Sequence, residues 1–148
     1  MRINHQEKII ALWAVFLFGT VFHTQLALMP LLYGQNVAMS GYNGIMPVSH
    51  PWLMLGFFVL PILAIIVTLF NDSKRYRIIH FGLTVFYSVM NLIHAILDLF
   101  VTPIEWSQIV LMTIVFINGI FLNIVAFQWM KQYFNRKKRA ERLTRIKV

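Results

Sequence analysis

The sequence contains no cysteine, so disulfide bonds, thiolate metal ligands and cysteine nucleophiles are all excluded from these 148 residues. Charge is also scarce: only 12% of the residues are charged and five are acidic, whereas 59% are hydrophobic. This balance lies outside the usual range of soluble domains. The composition therefore predicts an integral membrane protein, in which a metal would have to be bound by imidazole, carboxylate, carbonyl or thioether groups.

Four long apolar runs span approximately residues 9–29, 52–70, 78–100 and 108–130. Each is close to the ~20 residues with which an α-helix crosses the hydrocarbon core. A backbone in lipid must satisfy its own hydrogen bonds, which favours helices. We predict an all-α integral membrane protein with a four-transmembrane-helix bundle over residues 1–130, an uncharged outer loop over 30–51, and a basic tail over 131–148.

The thirteen Lys and Arg residues lie near the N-terminus, in residues 74–77 and in residues 131–148. Four membrane crossings would put these three groups on the same side. The positive-inside rule then predicts a multi-pass protein with both termini cytoplasmic. The tail is expected to continue the fourth helix into the cytoplasm and to contact anionic lipid. Because topology already accounts for the basic residues, we predict no nucleic-acid binding.

Polar side chains follow one face of the predicted third helix, because steps of four and three residues return to the same side of an α-helix. At mid-depth, a lipid-exposed imidazole or carboxylate costs ~2.5 kcal/mol or more. The face should therefore pack inside the bundle, on a partner subunit or against a cofactor. Interhelical hydrogen bonding alone is an open alternative for its uncharged members. This polar stripe consists of His80, Thr84, Tyr87, Asn91, His94 and Asp98.

Three histidines are predicted near the outer leaflet together with one carboxylate. Imidazole and carboxylate ligands suit zinc, iron, manganese or copper, although no fixed-spacing metal motif is present. Methionines in and beside the outer loop make copper(I) a further alternative: Met29, Met39, Met46 and Met54. The predicted metal ligands are His23, His50, His94 and Asp98.

His80 and His94 are separated by thirteen residues, about four helical turns or ~21 Å. This spacing resembles the paired haem-ligand histidines of b-type cytochromes, although here only one helix carries such a pair. The resemblance implies haem b, with His23 opposite His94 or a homodimer supplying the missing ligand of His80. As members of the polar stripe, Tyr87 and Asn91 are further predicted cofactor-binding residues. Chlorophyll held by a single histidine, and an interfacial His80 without a ligand, are the alternatives.

Two main functions follow from these patterns. The first is binding of a metal, haem or pigment for electron transfer, cofactor handling or metal supply. The alternative is a non-enzymatic accessory or assembly subunit of a larger membrane complex, with the polar stripe packed on a partner. A proton or ion path is less favoured, because the other helices show no matching polar line. The sequence predicts no set of catalytic residues and favours a role other than catalysis.

Overall fold

The computed structural model describes residues 4–37, 44–101 and 105–146, with side chains up to residue 134. All of its long elements are α-helices, each long and apolar enough to span a membrane. The predicted all-α class with four membrane-length helices is confirmed. The division of the chain at residue 130 into a transmembrane domain and a basic tail stays a prediction. The helices are α1 (His5–Leu28), α2 (Ser49–Phe70), α3 (Lys74–Asp98) and α4 (Trp106–Ile146), with a short 3-10 helix (Met29–Tyr33) after α1.

All four helices begin before their apolar runs, and in α1 and α3 polar residues cap the first turn. The backbone N–H of Asn4 donates to the Glu7 carboxylate at 3.1 Å, which starts α1 before residue 9. The hydroxyl of Ser73 accepts from the backbone N–H of Tyr76 at 3.3 Å, which starts α3 before residue 78. Such caps satisfy backbone donors that the first helical turn leaves free.

α1 packs on α2 and α4, and α4 also packs on α3. Hydrogen bonds give the helix directions. Gln6, at the start of α1, donates to the carbonyl of Thr68 at the end of α2, so these two helices are antiparallel. Arg77, early in α3, donates to the carbonyl of Trp129 late in the apolar part of α4, which makes that pair antiparallel as well.

The core includes a group of packed aromatic rings in the half of the bundle that holds the start of α1. The Trp13 ring meets Phe16 and Tyr87 edge to face, with centroids 5.6 and 5.4 Å apart. In contrast, many large apolar side chains lie on the outside, such as Phe18, which is 77% exposed. An apolar exterior of this kind fits hydrocarbon better than water. The four helices are thus the candidate spans of a multi-pass membrane protein.

Arg77 is a cation buried inside the bundle, with 3% of its surface exposed. Its Nε and Nη2 donate to Oδ1 of Asp72 at 3.1 and 2.5 Å, and its Nη1 donates to the Trp129 carbonyl at 2.6 Å. The guanidinium also lies 4.8 Å from the centre of the Trp129 ring. These partners compensate the burial of the charge and tie α3 to α4.

Candidate functional site

The polar stripe of α3 lies inside the chain's own bundle along most of its length. His80, Thr84, Tyr87 and Asn91 are each at most 3% exposed. These four residues are covered by α1, α2 and α4, as predicted, whereas His94 near the end of the stripe is exposed. Since this chain already covers these residues, the stripe gives no support to the alternative of an accessory subunit that buries them against a partner.

Each buried stripe residue with a long polar side chain bonds to a different helix. Tyr87 donates its hydroxyl proton to the Phe57 carbonyl of α2 at 2.7 Å. Asn91 donates from Nδ2 to the Met112 carbonyl of α4 at 3.4 Å. These are the interhelical hydrogen bonds of the packing alternative. A role of Tyr87 and Asn91 in cofactor binding stays a prediction.

His80 lies in the aromatic core, where it is 1% exposed. Its Nε2 accepts a hydrogen bond from Trp13 Nε1 at 2.9 Å, so that nitrogen is not free for a metal while the bond persists. The burial also does not fit a histidine that reaches headgroups at the interface. His80 therefore links α3 to α1, and the structure gives no support to a haem at this residue.

At the other end of the stripe, two histidines and one aspartate come together. Nε2 of His23 lies 3.2 Å from Nε2 of His94. The Asp98 carboxylate faces both imidazoles, with Oδ2 3.7 Å from His23 Nε2 and Oδ1 3.7 Å from His94 Nε2. These ligand atoms all lie within 4.8 Å of one another, which makes the three residues a group that could hold a metal ion. We call it the His/Asp cluster.

The helices place the His/Asp cluster in a simple way. His94 and Asp98 are one turn apart on α3, so their side chains project from the same face. α1 runs parallel to α3, because Trp13 contacts His80 near the start of both helices and His23 contacts His94 near the end. The cluster is accessible from one side, since the His94 side chain is 53% exposed whereas that of Asp98 is 16% exposed.

The distances in the cluster resemble those of a metal-binding site. A tetrahedral ion with bonds of about 2.0–2.1 Å holds neighbouring ligand atoms about 3.4 Å apart. The observed separations of 3.2 and 3.7 Å bracket that value. The two 3.7 Å separations involve different oxygens of Asp98, so its carboxylate would have to turn for one oxygen to serve as the third ligand.

Buried polar atoms of the cluster lack hydrogen-bond partners. Asp98 Oδ2 and His23 Nδ1 are both buried, and neither has a partner within the described part of the chain. An unpaired carboxylate oxygen is costly to bury, and more so in a membrane-spanning bundle. A cation between the imidazoles and the carboxylate would bind Asp98 Oδ2, which has no hydrogen-bond partner in the described part of the chain.

The same geometry does not support a haem between His23 and His94. Two axial histidines place their ligating nitrogens roughly 4 Å apart, twice a metal–imidazole bond, with the porphyrin plane between them. The Nε2 atoms here are 3.2 Å apart, and the rings meet edge to face. A chlorophyll held by one histidine stays a prediction.

His50, the fourth predicted metal ligand, lies in the first turn of α2 and is exposed. It is not a member of the His/Asp cluster. Of the methionines considered for copper, Met29 and Met46 are 44% and 66% exposed. Met54 lines the cavity described next. Met39 lies outside the described residues.

A cavity of about 440 Å³ adjoins the cluster, and both His23 and His94 line it. This volume falls within the usual range of small-molecule sites. All four helices contribute to the lining. Its apolar walls are formed by Leu53, Met54, Phe57, Phe58, Met90 and Met112.

Sequence reasoning missed the part of this cavity that α1 provides. Thr20 and Thr24 line it beside His23, at helical spacings of three and four, so α1 does carry a short polar face. That signal was present in the sequence. Both threonine hydroxyls donate within their own helix, Thr20 to the Phe16 carbonyl at 3.0 Å and Thr24 to the Val21 carbonyl at 2.7 Å. They therefore offer only acceptor lone pairs to the cavity.

No protein-family model matches the chain, and comparisons with curated proteins and with solved structures found no similar protein. Fold and site alone thus define its class: a multi-pass membrane protein of four helices with a His/His/Asp group that could hold a metal ion.

Proposed function

We propose that the protein binds one divalent transition-metal ion through the imidazoles of His23 and His94 and the carboxylate of Asp98. The observation that carries this proposal is the convergence of three ligand atoms within 4.8 Å from two different helices. Two imidazoles and one carboxylate suit Zn²⁺ or Fe²⁺. Three protein ligands leave at least one coordination position open, which is typical of sites that exchange a ligand.

If both termini are cytoplasmic, as the positive-inside rule predicts, this site lies toward the outer side of the membrane. Basic residues 74–77 begin α3, whereas His94 and Asp98 lie at its opposite end. With the basic end inside, the ion would be held near the outer leaflet, with both termini and the tail in the cytoplasm and the tail against anionic lipid. The proposed role is metal supply or cofactor handling at the outer face of the membrane.

Metal titration of the purified protein tests the proposal. In mild detergent, the chain should bind Zn²⁺ or Fe²⁺ at one equivalent, measured by calorimetry and elemental analysis. His94→Ala and Asp98→Asn should each weaken binding by about 100-fold or more, because even the outer partners of metal ligands contribute 10- to 100-fold. Elution volume and helical circular dichroism should stay unchanged, since the His94 side chain is 53% exposed.

His50→Ala is the matched control, because it removes a histidine that lies outside the His/Asp cluster. Its affinity should equal that of the unchanged protein. Absence of stoichiometric binding, or equal affinity in the Asp98→Asn variant, would contradict the proposal. An equal loss in the His50→Ala variant would show that the cluster does not define the site.

A further inference from the structure

The hydrogen bond between Tyr87 and Phe57 closes one end of the cavity beside the His/Asp cluster. α2 packs on α1, and α3 reaches α2 through side chains such as Tyr87, whose hydroxyl bonds to the Phe57 carbonyl. Asn91 lies one turn further along α3 and lines the cavity, as does His94. The space therefore lies between the Tyr87–Phe57 contact and the ends of α1 and α3, at the level of the cluster.

The walls of the cavity continue onto the exposed apolar surface of the bundle, which would face lipid if the four helices span a membrane. Leu53, Met54 and Met90 all line it, yet they are 71%, 53% and 39% exposed. In a bundle that spans a membrane, a cavity opening lined by exposed apolar side chains faces the acyl chains of the lipid. A molecule dissolved in the bilayer can thus enter between α2 and α3.

The polar end of the cavity favours an anion. A divalent ion held by two neutral imidazoles and one carboxylate keeps a net charge of +1, which is costly in a low-dielectric site unless it is neutralised. Among the described residues that line the cavity, none is Asp, Glu, Lys or Arg. The hydroxyls of Thr20 and Thr24 carry no charge. With a divalent ion bound, a negatively charged ligand in the cavity would neutralise this remaining charge.

We propose that the cavity binds a long-chain fatty acid, with its hydrocarbon chain along the apolar walls and its carboxylate at the open position of the metal site. This inference rests on the proposed metal binding. The carboxylate of the fatty acid and the carboxylate of Asp98 together neutralise the +2 charge of the metal ion. A volume of about 440 Å³ is near the lower end for ligand sites, which favours a single chain over a two-chain phospholipid.

Cobalt provides a direct test, because the visible spectrum of Co²⁺ changes with its coordination. The protein in nanodiscs of uncharged lipid is loaded with Co²⁺ and titrated with palmitic acid or with hexadecanol, which has the same chain without the charge. Palmitic acid should change the cobalt spectrum saturably, and hexadecanol should not. Retained radiolabelled palmitic acid should be at least about tenfold greater with metal than without.

Two neighbouring substitutions on α3 locate the ligand. Met90→Trp fills the cavity and should abolish the spectral change while Co²⁺ content stays at one equivalent. Val89→Trp adds the same bulk at an adjacent residue that is 51% exposed and outside the lining, and it should have no effect.

The outcomes separate the two proposals. If the unchanged protein takes up no metal, the proposed function is wrong and this inference falls with it. If metal binds but palmitic acid leaves the cobalt spectrum unchanged, only the fatty-acid inference is overturned. Equal responses to acid and alcohol, equal retention with and without metal, or equal effects of the two tryptophan variants would also overturn it.

Discussion

The Nε2 atoms of His23 and His94 lie 3.2 Å apart although the two histidines are 71 positions apart in the chain. Two parallel helices, α1 and α3, bring them to the same depth. Asp98 joins them because it follows His94 by one helical turn. The cluster is thus produced by the parallel course of α1 and α3 combined with helical periodicity, and it requires no local metal-binding motif.

A metal that binds the folded chain through this cluster should raise its thermal stability. At about 100 times the dissociation constant, a ligand specific for the folded state adds ~2.7 kcal/mol to the free energy of unfolding. Zn²⁺ should therefore raise the midpoint of thermal unfolding in detergent, followed by tryptophan fluorescence. Asp98→Asn should lose most of this increase and His50→Ala should keep it. An equal increase in Asp98→Asn would mean that Zn²⁺ acts elsewhere.

The sequence predicts how far along the bundle a residue of a helix lies, which we call its depth. Runs of apolar residues locate the four helices, and the i, i+4 periodicity of α3 identifies which of its faces is buried. Both signals are local, because they depend on the length and pattern of one segment. The convergence of His23 with His94 follows from depth as well, since the two lie at similar distances from the ends of parallel helices.

Rotation of a helix about its axis is harder to predict. His50 lies at the predicted end of the bundle but outside the His/Asp cluster, because depth does not determine which side of α2 faces α3. Depth also cannot reveal the Trp13–His80 hydrogen bond, which requires knowing that these two side chains face each other. Neighbour order and rotation are set by packing between helices.

Trp13→Phe should destabilise the protein by about 1–2 kcal/mol. The substitution keeps an aromatic ring in the core but removes the Nε1 donor that bonds to His80 Nε2 at 2.9 Å. It thus loses an interhelical hydrogen bond and leaves a buried acceptor unpaired. Thermal unfolding in detergent measures the change. Trp52→Phe, at a residue that is 68% exposed, is the control and should shift stability by less than about 0.5 kcal/mol. Equal shifts would show that the hydrogen bond contributes little.

Gly119→Ala should destabilise the contact between α3 and α4. A Cβ at this residue would lie 2.9 Å from Ser88 Oγ, which also accepts a hydrogen bond from Asn123 Nδ2. Either the helices separate or this bond breaks, at a cost of about 1–3 kcal/mol for overpacking. Gly82→Ala is the matched control, since a Cβ there meets nothing within 4 Å. It should be neutral or stabilise the protein by up to ~1 kcal/mol, because alanine favours helix more than glycine. A loss in both variants would point to backbone effects unrelated to packing.

Single-cysteine labelling should place the His/Asp cluster at the outer face of the membrane. The chain has no cysteine, so each introduced thiol is labelled without background. Gln35→Cys follows α1 at the end of the bundle that holds the cluster, and Lys74→Cys begins α3 at the basic end. The positive-inside rule predicts that a membrane-impermeant maleimide labels Gln35→Cys in intact cells and labels Lys74→Cys only after permeabilisation. The reverse labelling pattern would contradict the predicted orientation without changing the ligand geometry of the cluster. The cavity would then open toward the inner leaflet, and a metal held in the cluster would be exchanged with the cytoplasm.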